Sequence, residues 1–264
     1  MEGNSFNLRG IGEFLSFPGL HPNLQCAALQ LLEHAAEWQS TNFTECISVT
    51  FGPVANLVLD SREIQVRCAA LDTLRLFLES PRATDIVKSM IPRGVVDAVS
   101  KDLDFPEPHV QLASVELLEV AAQSEEILIE FATAASHISS ALPSMPIATQ
   151  VTALRALETG VRANIHEFFK ALADELHHLK KPLSSPDATI QIATLKVLED
   201  SAQSKDPDLF RAVQTLLPDV KYILLFGKTD LHSAASRVME ALGVGGYSDR
   251  QASWSVGQES DRNV

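Results

Sequence analysis

Residues 111–124 read QLASVELLEVAAQS, and their pattern decides the fold. Set on a helix, Leu112, Ala113, Val115, Leu117, Leu118, Val120, Ala121 and Ala122 cover most of the circumference. Glu116, Glu119 and Gln123, at i, i+3 and i+7, leave one narrow polar stripe. A surface helix of an ordinary globule carries a wider polar face, so this one requires neighbours on nearly every side.

Copies of the stretch recur along the chain. LQCAALQLLEHAA, VRCAALDTLRLFL, VQLASVELLEVAA, QVTALRALETGV, QIATLKVLEDSA and HSAASRVMEAL align on Cys26, Cys68, Leu112, Val151, Ile192 and Ser233. The intervals between these anchors are 42, 44, 39, 41 and 41 residues. A period near forty, with small residues followed by leucine and a Leu-Glu or Met-Glu pair, predicts an all-α solenoid of about six stacked units. Each unit buries its apolar face against the next.

The segments between the copies extend this reading. Residues 83–103, ATDIVKSMIPRGVVDAVSKDL, combine a short helix, a Pro/Gly junction and a second helix, and a long third helix follows a Pro or Asp turn. This plan resembles the armadillo/HEAT class of helical repeats over residues 20–242, which implies a right-handed α-solenoid. In that class the third helix lines a concave groove, and a ladder of Trp and Asn side chains holds an extended peptide there. In this chain the Trp-like column reads Gln30, Asp72, Glu116, Arg155, Lys196 and Arg237, and the Asn-like column His34, Leu76, Val120, Thr159, Asp200 and Ala241. Neither ladder is present. The segment LQCAAL, residues 24–29, is also similar to part of an assembly chaperone of the proteasome base.

The resemblance implies a non-enzymatic interaction scaffold or adaptor that binds another protein on the solenoid surface. An assembly chaperone or regulatory subunit of a multi-subunit complex such as the proteasome stays open beside it, as does an enzyme with an unrecognised site. No Gly-x-Ser-x-Gly elbow, His-Glu-x-x-His pair or Cys-x-x-Cys motif occurs. Gly227-Lys228-Thr229 resembles the end of a phosphate-binding loop, but a helical segment precedes it where a strand is required. His166 and His177 return to one helical face about 16 Å apart at 1.5 Å rise per residue, too far to share an ion on one helix. No cofactor and no metal site is expected.

The stripe yields the candidate partner-binding residues: Glu33, Glu37, Arg75, Glu116, Glu119, Gln123, Glu158, Glu199 and Glu240. Their middle column is Glu in every unit but the second, where Arg75 stands. With helices about 8 to 10 Å apart, that column becomes a ladder of carboxylates suited to a basic helix or extended segment of another protein. The competing reading is a solvated face on which Arg155/Glu158, Lys196/Glu199 and Arg237/Glu240 form weak local pairs.

The net charge of −13 and the lack of a Lys/Arg-rich run exclude nucleic acid and anionic membranes as ligands. No apolar run approaches the roughly 18 residues of a membrane span, and no signal sequence opens the chain, so a cytoplasmic or nuclear location is expected. Cys26 and Cys68 share one repeat position and read as small core residues. Three domain segments follow: residues 1–19 cap the array, with Phe14, Leu15 and Phe17 as its lid; 20–243 form the solenoid; 244–264, rich in Gly, Ser and mixed charge, form a disordered tail. Asn23, Ser61 and Asp187 are the expected N-caps of three long helices.

Overall fold

A computed structural model describes residues 9–37, 43–80, 93–123 and 128–244. All regular structure among them is helical. Six long helices form one row: α2 (Pro22–Glu37), α4 (Ile64–Glu79), α6 (Pro108–Ala121), α8 (Ile147–Arg162), α11 (Ala188–Gln203) and α14 (Thr229–Ala241). Each contains one of the six sequence copies, and each packs on the next.

A second row covers one side of the first. It runs through α1 (Arg9–Leu15), α3 (Phe43–Asp60), α5 (Arg93–Asp102), α7 (Leu128–Ala141), α9 (His166–Glu175) and α12 (Pro207–Thr215), again neighbour on neighbour. The short α10 (Lys180–Leu183) lies under α11, and α13 (Leu217–Phe226) packs on α14. A continuous apolar core runs between the rows from Ile11 to Leu242. Helix α6 shows why: Val115 and Leu118 are buried against neighbouring helices, Glu116 and Glu119 are half-buried, and Gln123 is exposed. Along the second half of α6 solvent reaches Glu116, Glu119 and the neighbouring Val120, so the narrow stripe of the sequence lies on its exposed side.

Helix ends follow local chemistry. Asp187 caps α11 as expected, its carboxylate accepting from the backbone N–H of Thr189 at 2.7 Å and of Ile190 at 3.4 Å. Those bonds hold the Asp187 carboxyl below the usual carboxylate range. Asp206 caps α12 in the same way. The other two expected caps fall elsewhere. Helix α2 begins at Pro22, and the His21 ring accepts from the Asn23 N–H at 3.3 Å. Ser61 stabilises the turn ahead of α4 by exchanging hydrogen bonds with Glu63. At the other ends, Asn164, Lys205 and Gly243 take left-handed φ angles of 60°, 63° and 70° one residue past the C-caps of α8, α11 and α14. The shared position marks a common way of turning out of the long helix.

Two expectations are corrected here. Gly52-Pro53 does not interrupt α3, which runs unbroken through Pro53. Proline lacks the N–H that the Val49 carbonyl would have received, and Gly12 of α1 packs on that carbonyl so closely that a Cβ at Gly12 would stand 2.9 Å from it. Of the three residues expected as a lid, Leu15 is buried and with Ile11 holds α1 to the core, whereas Phe14 and Phe17 are 42% and 67% exposed. The short helix expected before Arg93 and the tail after Val244 lie outside the described residues.

Candidate protein-binding face

The position just before each repeat anchor carries a polar side chain, and in α4, α6, α8 and α11 that side chain fastens its helix to a group outside it. In α6, the Gln111 amide donates to the carbonyls of Leu103 at 3.0 Å and Phe105 at 2.8 Å. Gln150 of α8 donates to the Met145 carbonyl and Gln191 of α11 to the Leu183 carbonyl, both at 2.8 Å. Arg67 holds the equivalent place in α4 and pairs with buried Asp102 of α5 through both carboxylate oxygens. Burial pushes the Asp102 carboxyl up, and the Arg67 hydrogen bond opposes this. In the last unit His232 occupies the position, with its Nε2 buried and unpartnered. The column escapes a hydrophobic pattern because Gln and Arg at a helix start read as surface residues.

Several candidate residues meet their neighbours across and along the long helices. Glu33 accepts from the Thr73 hydroxyl of the next long helix at 3.3 Å. Arg75 reaches Glu79 on its own helix at 3.0 Å and lies 3.6 Å from Glu116 on α6. Arg162 links Glu158 to Asp200 of α11, each at 2.7 Å. Arg237 of α14 donates to Glu199 of α11 at 2.9 Å. Gln123 and Glu240 are exposed, and Glu37 lies on the last turn of α2. Asp200, placed in the Asn-like column by sequence, thus joins an ion network that the one-dimensional columns do not reveal.

Charge is distributed unevenly along the row of long helices. Over α2, α4 and α6 the polar columns hold Glu33, Glu37, Asp72, Glu79, Glu116 and Glu119 with Arg75 as their cation. Over α8, α11 and α14 Arg155, Arg162, Lys196 and Arg237 stand among Glu158, Glu199 and Glu240. Burial pushes the Glu119 carboxyl up; Arg155 opposes the shift, while Glu116, Glu158 and Glu79 add to it. Asp72 is also raised by burial, with Arg75 opposing and Glu116 adding. Both groups hold a negative charge that their surroundings leave incompletely compensated.

The remaining sequence candidates have separate places. Cys26 and Cys68 are partly buried, and desolvation raises both thiols, so neither is an activated nucleophile. His166 lies 3.4 Å from Asp206, and α9 ends at Glu175, so His166 and His177 are not on one continuous helix. Gly227-Lys228-Thr229 joins two helices. Among the described residues no helix is long and apolar enough to cross a membrane.

No protein-family description and no curated protein sequence matches the chain. Solved structures do match it. The chain is similar to a designed armadillo repeat protein in complex with the peptide (KR)4, with a TM-score of 0.71 and 15% identity over 90% of this chain and 100% of that one. It is similar to an engineered protein with a TM-score of 0.72 and 21% identity, over 92% of this chain and 98% of the other. A structure described as concerning a phosphorylation switch in the interaction between cadherin and beta-catenin matches with a TM-score of 0.63 and 16% identity, over 92% of this chain and 54% of that one. At these identities the likeness establishes the fold, an armadillo-like all-α solenoid.

Proposed function

We propose that this armadillo-like solenoid is a non-enzymatic scaffold or adaptor, and that its face over α2, α4 and α6 receives a basic helix or extended basic segment of another protein. The observation that carries the reading is the concentration of carboxylates there, answered within the columns by Arg75. Asp72 and Glu119, both raised in pKa, gain stabilisation when a lysine or arginine side chain approaches. The second half offers less, because Arg162 and Arg237 already occupy Glu158, Asp200 and Glu199. The designed neighbour in complex with (KR)4 supports the chemistry by analogy.

The test is fluorescence anisotropy of a labelled (KR)4 peptide at low salt. Replacing Glu79, Glu116 and Glu119 together by Lys weakens binding by about tenfold or more, equivalent to about 1.4 kcal/mol. Replacing Glu199 and Glu240 changes it by less than about twofold. Equal losses from the two sets would refute the placement, and no binding by the native chain would refute the basic ligand.

A second reading, as an assembly chaperone or regulatory subunit of a multi-subunit complex, draws on an apolar patch at α13. Tyr222, Leu225 and Phe226 are exposed there, with the Tyr222 and Phe226 rings 5.0 Å apart. In this case Tyr222→Asp with Phe226→Asp would move the protein from a large assembly to the monomer position on size exclusion of native extract. An unchanged elution would dismiss it.

A further inference from the structure

We propose that Glu175, His177 and His178 form a binding site for one divalent transition cation of the Zn2+ type, on the opposite layer from the long-helix face. At Glu175 the helix α9 tightens into a 3-10 turn, Leu176–Leu179. With three residues per turn, Leu176 and Leu179 fall on one side, and both are fully buried. The same geometry turns His177 and His178 outward and sets Glu175 one turn below His178. The turn packs against α7, α9 and α12, so its orientation is fixed by the apolar core of the second row.

The three side chains already converge. One ligand atom of each lies within 4.8 Å of the others. His178 Nε2 is 3.2 Å from a Glu175 oxygen, and the two imidazole centroids are 4.1 Å apart. Donors bound to Zn2+ at about 2.0 to 2.1 Å in tetrahedral geometry stand about 3.3 to 3.4 Å from one another. Small rotations of these solvent-facing side chains close the difference, and the backbone need not move. His177 also has its outer contact in place, with Nδ1 3.2 Å from the Asp174 carbonyl oxygen. A Nδ1–H donated to that oxygen leaves Nε2 with its lone pair free for the ion, the usual arrangement of a ligating histidine. Two imidazoles and a carboxylate favour a borderline cation over Mg2+ or Ca2+, which prefer all-oxygen sites. Water completes the fourth position.

The experiment is calorimetric titration of the full chain, prepared without a polyhistidine tag and stripped with chelator, using ZnCl2 at pH 7.5 and MgCl2 as the control. One Zn2+ per chain binds and Mg2+ gives no heat. His177→Ala and His178→Ala each weaken Zn2+ binding by about tenfold or more, equivalent to about 1.4 kcal/mol, and Glu175→Gln weakens it less. His166→Ala leaves it unchanged, and Co2+ bound at the site gives a visible tetrahedral spectrum that the histidine variants lose. The altered side chains lie at the surface, so circular dichroism and melting stay native. Absence of Zn2+ heat, or native affinity in the His177→Ala/His178→Ala double variant, overturns the site.

Discussion

The first three long helices and the last three are built on one apolar plan but use charge in opposite ways. Over α8, α11 and α14, arginines reach along and across helices and consume the carboxylates, so that Arg162 alone serves Glu158 and Asp200. Over α2, α4 and α6, Arg75 stands among several carboxylates, and burial, with neighbouring carboxylates adding to it, raises Asp72 and Glu119. The difference separates two uses of one repeat position. In the second half several cations link neighbouring carboxylates, whereas in the first Arg75 alone stands among the column carboxylates, which is the contrast the proposed basic ligand would exploit.

The comparison presumes a shared core, and the largest effects test that presumption. Leu118 in the first half and Leu198 in the second are both buried. Leu118→Asp and Leu198→Asp each place an unpaired charge in the apolar interior, at a cost of more than about 4 kcal/mol. Both variants should lose the native circular dichroism melt. A native melt for Leu118→Asp alone would show that the halves are not held by equivalent contacts.

A steric change comes next, and it acts on the second half. A Cβ at Gly160 of α8 would stand 2.4 Å from the Phe168 ring of α9, which stacks on Phe131 of α7 with centroids 5.4 Å apart. The ring cannot retreat without losing that stack. Gly160→Ala should therefore destabilise by about 1 to 3 kcal/mol in chemical denaturation, leaving peptide binding to the first half within about twofold in anisotropy. Loss of binding in the folded variant would mean that the two halves act as one unit.

Converting one half toward the other is a finer test. Arg162→Met frees Glu158 and Asp200 from their shared cation, which should cost about 0.5 to 1 kcal/mol at an exposed network. The same change should strengthen (KR)4 binding at low salt by about twofold to fivefold, through new carboxylates beside Glu119. Unchanged affinity would show that vacant charge is not what the face supplies. The smallest effect concerns Glu119 itself. Its raised pKa means that the folded protein holds this proton more tightly than the unfolded chain, so the ionised group opposes folding. The penalty is absent below the ordinary glutamate value of 4.5 and grows as pH rises through the folded value. Glu119→Gln should gain about 0.5 kcal/mol at pH 7 and nothing at pH 4, read as the pH dependence of melting. A gain that persists at pH 4 would assign the effect to packing.

The solenoid was legible because the residues that make it repeat. Small residues and leucines recur at one period, and each of the six copies lies in a long helix of the row. Interactions between units were not legible from that period. The partners Arg162 and Asp200 lie 38 residues apart, and only packed helices define which columns meet. Proline was misleading for a related reason. Pro53 marks a break by local rules, but the α1 glycine packed over the freed carbonyl makes an unbroken α3 compatible with it. The Glu-x-His-His turn was hidden because the histidines were weighed at the spacing of an α-helix, and the chain changes to a 3-10 turn at that point.

The glutamines at the start of the long helices mean that the repeating unit of the covalent chain and that of the folded object are out of phase. Gln111, Gln150 and Gln191 each grip carbonyls in the turn that precedes their own helix. A splice placed in such a turn would separate a grip from the unit that supplies its backbone. Recombination points for exchanging repeats, or for building a longer array from this one, therefore belong a turn or more inside the long helices, where each transferred piece keeps both sides of its own fastening.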